Sequence, residues 1–128
     1  QAVLSATGSP SASAPSGFVV TASGVEGIKD GLFFYSSNGQ QNNPWGNGTS
    51  HQCVVPPTIR SPTINSGGTL STCDGSMNRD MNAYWAANPL KNPGIGAAVA
   101  LQLWYRDPLN TSNQTTSLSD GLSFVVCP

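Results

Sequence analysis

Charge is what this chain has least of. Only 9% of its 128 residues carry it, five Lys or Arg against six Asp or Glu, for a formal net charge of −1. An average soluble domain is about 25% charged. The five cations, Lys29, Arg60, Arg79, Lys91 and Arg106, stand one at a time. Phosphate binding needs clustered Lys and Arg, so the composition argues against nucleic acid and anionic membrane as partners. No apolar run is long enough to read as a membrane-spanning helix. The start, Gln1-Ala-Val-Leu-Ser, lacks the basic and long apolar regions of a signal peptide. A mature exported chain and a fragment of a longer protein both fit that start.

Metal ligands and nucleophiles are equally sparse. There is one histidine, His51, and none of the three cysteines forms a CxxC pair, so a zinc site lacks its usual complement. No serine sits in a recognisable elbow, and His51 has no motif partner for a triad. The carboxylates Glu26, Asp30, Asp74, Asp80, Asp107 and Asp120 are not paired by any motif. Asp74 and Asp120 each precede glycine, where Asp caps turns through its side-chain oxygen. The spacing Asp74…Asn78…Asp80 only loosely resembles a calcium loop, which wants several oxygens close together. The expectation is no enzyme, no catalytic residue, no metal and no cofactor.

Strand formers separated by turn formers are abundant. Phe18–Ser23 and Gly31–Ser36 are aromatic and β-branched runs bounded by glycine. Gln52–Val55 and Thr58–Ser61 flank Pro56-Pro57, which forbids a continuous central strand. Residues 38–50 read as loop with a brief extended piece around Trp45, and Met77–Trp85 as a strand with a helical turn before Pro89. Ala97–Tyr105 is the longest apolar run and fits a central strand buried on both faces, with Leu122–Cys127 as its partner. Residues 1–16 are either a flexible arm or an edge strand followed by a linker. Residues 17–128 form the main domain. The fold class is all-β: a single β-sandwich or jelly-roll-like domain of about seven to nine short antiparallel strands with long Gly/Asn/Ser-rich loops.

Several residues stand out as candidates. Cys53 and Cys73 can close a mid-length loop, a disulfide contributing roughly 3 kcal/mol on the loop-entropy estimate. Cys127 is then left over, pointing to an intermolecular bond, a missing upstream partner or a free buried thiol. Arg106 and Asp107 end the long strand on opposite faces and read as structural clamps, with Asp120 as one possible partner for Arg106. Trp45, Tyr35, Trp85, Trp104 and Tyr105 are candidates for a sugar-stacking platform. Trp45, with Asn47 in its Asn-rich loop, is the better exposed; Trp104 is expected in the core. Sequons occur at Asn47, Asn110 and Asn113.

Pro44-Trp-Gly-Asn-Gly-Thr-Ser, Cys53, Cys73-Asp-Gly, Trp104-Tyr-Arg-Asp-Pro and Leu118-Ser-Asp-Gly-Leu…Cys127-Pro together resemble a β-rich module. It is found at the C-terminal ends of secreted and surface proteins of planctomycete- and myxobacterium-type bacteria. The resemblance covers nearly the whole chain, from about Val3. It implies export and a C-terminal position in larger proteins, with no activity to carry over. It also implies a further cysteine upstream of Val3 as partner for Cys127. The function expected is that of an extracellular structural subunit. Its arm, Ala2, Val3, Leu4 and Ala6, would complete the sheet of a second copy or another surface protein, and so build a filament. The alternative is a non-catalytic module binding carbohydrate or another surface ligand.

Overall fold

A computed structural model describes every residue except 47–49 and 109–114. Eleven strands are present among the described residues: β1 (Val3–Gly8), β2 (Phe18–Val25), β3 (Asp30–Ser36), β4 (Gln40–Trp45), β5 (Ser50–Val54), β6 (Ile59–Arg60), β7 (Ile64–Asn65), β8 (Gly75–Asp80), β9 (Ala98–Arg106), β10 (Thr116–Leu118) and β11 (Leu122–Val125). One helix, α1 (Met81–Ala87), and a 3-10 turn at Pro89–Lys91 complete the regular structure. The fold is all-β, with 52% of the described residues in strands and 8% helical.

The strands form a small sheet, a larger one and a hairpin, all antiparallel. The small sheet has the order β1-β2-β8. The larger one is centred on β3 and β9, which pair from Gly31↔Tyr105 to Ser36↔Ala100. Alternation along these two strands separates two layers of packing. Phe33, Tyr35, Leu101, Leu103 and Tyr105 join Phe18, Val20, Ala22 and Met77 of the small sheet in the main core. Phe34 and Ala100 point the other way, into a second cluster with Val54 and Leu118. The cover on that second face is the β4–β5 hairpin. The long apolar run is therefore buried on both faces, as its composition requires.

Cross-links from side chain to backbone hold the hairpin in place. Gln102 is fully buried on β9. Its Oε1 accepts from Cys53 N–H at 2.8 Å, and its Nε2 donates to His51 O at 2.9 Å and Ser119 O at 2.7 Å. Ser50 Oγ accepts from Leu118 N–H at 3.1 Å, and Ser36 Oγ donates to Val55 O at 2.6 Å. Residues 40–45, read from sequence as mostly loop, are a strand because they have β5 to pair with. Pro44 is tolerated because β4 is an edge strand, paired on one side only.

β10 and β11 lie end to end along one edge of β9, at Thr116↔Arg106 to Leu118↔Trp104 and Leu122↔Leu101 to Val125↔Ala98. Ser119 keeps the ladder, exchanging bonds with Leu103: its N–H donates to Leu103 O and its Oγ accepts from Leu103 N–H. Asp120 and Gly121 are pushed out of line, as in a bulge. Asp120 Oδ1 accepts from Leu4 N–H at 2.7 Å, so the bulge fastens β1. The segment after β1 is tied as well. Ser11 bridges Cys127 in parallel, and its N–H donates to Asn82 Oδ1 at 2.9 Å.

The stretch expected as one strand from Met77 to Trp85 divides at Asp80. Asp80 caps α1, accepting from Ala83 N–H at 3.0 Å, and also receives Gly17 N–H at 2.8 Å. Burial pushes its carboxyl pKa up, but the N–H groups of Gly17, Ala83, Phe18 and Asn82 outweigh this and leave it below the usual value. A carboxyl lowered on folding stabilises the fold above the unfolded value and loses that contribution as the pH falls through the folded one. Asp80→Ala is expected to cost about 1–2 kcal/mol at neutral pH. Urea titrations at several pH values should show the gap from wild type narrowing as the wild-type carboxyl protonates. A gap that stays constant down to strong acid would refute the assignment.

Candidate functional site

The hairpin covers only part of the second face of the larger sheet. Opposed residues of an antiparallel ladder project to the same side, which sets out the floor of the uncovered part. Arg60 stands opposite Phe34, and Trp104 lies between Leu32 and Leu118. Trp45, at the end of β4, forms the facing wall. Between them lies a cleft of about 160 Å³, whose rim also carries Gln52 and Thr58. Both indoles are half-buried, packed at one side against the Phe34–Val54 cluster. Five of the eight lining residues are apolar or aromatic, and the other three, Gln52, Thr58 and Arg60, bring polar groups and one cation.

Arg106 does not reach Asp120. Its guanidinium lies over the Trp104 ring, 5.3 Å from the centroid, a cation–π contact one strand position pair away. Asp107 Oδ2 instead accepts from Ser117 Oγ at 2.8 Å and so pins β10, which keeps Asp107 as a clamp by another partner. Asp120 is also a clamp, but of β1. Trp104, expected in the core, is a wall of the cleft. Tyr35, Trp85 and Tyr105 belong to the main core and offer no stacking platform. Asn47 and the sequons at Asn110 and Asn113 lie outside the described residues.

The expected Cys53–Cys73 bond is not made, and all three cysteines are free thiols. Cys53 lies on the hairpin, on the far side of the larger sheet from β8, which Cys73 precedes by two residues. The sheet stands between them. Burial, then the nearby Asp120, pushes the Cys53 thiol pKa up, so it is a weak nucleophile at neutral pH. Cys127 is exposed and exchanges backbone bonds with Pro10 and Ala12. Asp74 is a turn cap as anticipated: its Oδ1 accepts from Thr69 N–H at 2.7 Å, which holds its pKa low. No group of three or more His, Cys, Asp or Glu suited to a metal occurs among the described residues.

The arm residues belong to the small sheet. Ala2 and Leu4 are buried in the main core, while Val3 and Ala6 are exposed. β1 pairs with β2 along its whole length, from Val3↔Ser23 to Gly8↔Phe18. The cleft residues Leu32, Phe34, Gln52, Thr58 and Arg60 were not anticipated. One signal existed: Leu32-Phe33-Phe34-Tyr35 is apolar at every position, so a second layer had to cover its other face.

No family model, curated protein or solved structure matches the chain.

Proposed function

We propose that the chain is a non-catalytic binding module, taking a sugar ring into the cleft between Trp45 and Trp104. The observation that carries the reading is the pairing of two half-buried indoles across a concave site with Gln52 and Thr58 at its rim. Aromatic faces accept the C–H face of a sugar ring, while convergent amides and hydroxyls fix its orientation. The low-charge, hydroxyl- and amide-rich composition supports an exported, surface-associated setting. Assembly through the arm would require Ala2 and Leu4 to leave their own core for that of a neighbour.

The test is a glycan array followed by titration of the best hit. Trp45→Ala is expected to weaken binding about tenfold or more, the scale of 1.4 kcal/mol for a lost aromatic contact. Thermal melts run alongside separate this from loss of fold. A wild-type protein that captures no glycan at all would end the proposal.

A further inference from the structure

The cleft has one cation at its margin and no carboxylate in its lining. Arg60 stands on the floor strand β6, opposite Phe34, so its side chain rises on the cleft side of the sheet. Its guanidinium makes no hydrogen bond, ion pair or ring contact with another described residue. The chain's other cations differ. Lys29 pairs with Glu26, Arg79 and Lys91 lie against Tyr84, and Arg106 covers Trp104. Arg60 is thus the one cation of the described chain whose charged group is left to a ligand. A guanidinium is a rigid fork of donors that matches a planar carboxylate with two parallel bonds.

Resting on the reading of the cleft as a sugar site, we infer that its ligand is an acidic saccharide, with a uronate carboxylate seated on Arg60. The ring stacks against the indoles, and the carboxylate reaches the guanidinium at the rim. Arg106 takes no direct part, because its charge is already spent on the face of Trp104.

Calorimetric titration at low ionic strength with trigalacturonic acid, the matching neutral galactose trisaccharide and a sulfated galactose trisaccharide tests this. Wild type is expected to bind the uronate about tenfold more tightly than the neutral sugar, the worth of one charge-assisted contact. Arg60→Gln should abolish that preference, so that uronate and neutral sugar bind alike, whereas Arg106→Gln should preserve it. Tightest binding of the sulfated sugar would overturn the carboxylate assignment. Equal affinity for neutral and acidic sugars, or a preference that survives Arg60→Gln, would overturn the inference while leaving the cleft as a sugar site. Failure of all three sugars to bind would overturn both.

Discussion

Trp85→Ala is expected to lower the unfolding free energy by about 4 kcal/mol, the usual cost of removing a large buried aromatic side chain. Trp85 is 1% exposed and is the largest fully buried side chain in the described protein. It sits where α1 meets both sheets, with ring centroids 6.4 Å from Phe18, 6.1 Å from Tyr35 and 6.3 Å from Phe124. A methyl group in its place opens a cavity whose walls belong to different elements and cannot close together. For a domain of this size the melting temperature should fall by roughly 15 °C. Trp85→Phe is the informative companion. The indole Nε1 makes no well-formed hydrogen bond, only a weaker polar contact with the Tyr35 phenol, so phenylalanine keeps most ring contacts at little polar cost. Its loss should be under half that of alanine. Equal losses for the two variants would mean that the indole nitrogen is satisfied and the ring contacts are secondary.

Gln102→Leu ranks next, at about 3 kcal/mol, although leucine is apolar and close in size. The substitution leaves Cys53 N–H and the carbonyls of His51 and Ser119 without the partners they have now, the bond to Ser119 being fully buried and the other two partly so. Each buried orphan costs about 1–3 kcal/mol before relaxation, and movement of the hairpin recovers part of that. The damage should be local. Amide exchange at Cys53 is expected to speed up far more than exchange at Val20 in the small sheet. Uniform acceleration across both sheets, or a loss below about 1 kcal/mol, would show that Gln102 does not hold the hairpin.

Parts of this architecture were legible because they are written in long patterns. The nine-residue apolar strand and its partner at Leu122–Val125 follow from burial on both faces and from β-branched content. The helix at Met81–Ala87 was obscured, since Met77, Met81 and Tyr84 fit one period and Met77, Arg79 and Met81 another. A single carboxylate decides between them: Asp80 accepts from Ala83 N–H in the helix and from Gly17 N–H ahead of β2. The hairpin was hidden for a different reason. Glycine and proline around Trp45 weaken every local strand signal, and what holds the segment is Gln102, some fifty residues away in sequence. The cleft shared that fate. Its indoles were visible as residue types, but Arg60, Leu32 and Gln52 come together only through register.

The bulge at Asp120 has a consequence for the order in which the fold is made. Leu4 is fastened by Asp120, Ser11 by Asn82 and Cys127, and Ala2 by the hydroxyl of Tyr105. As the chain leaves the ribosome, these three residues wait for partners made more than seventy, and in most cases more than one hundred, positions later. β1 and β2 can pair early, but an edge hairpin without the rest of its core is marginal in water. Closure of this domain therefore waits until β11 and Cys127 have been made, when β9 gains its second partner along that edge and Ser11 its bridge. Until then the nascent chain presents an open small sheet, the interval in which a second copy or a chaperone has its best access to that edge.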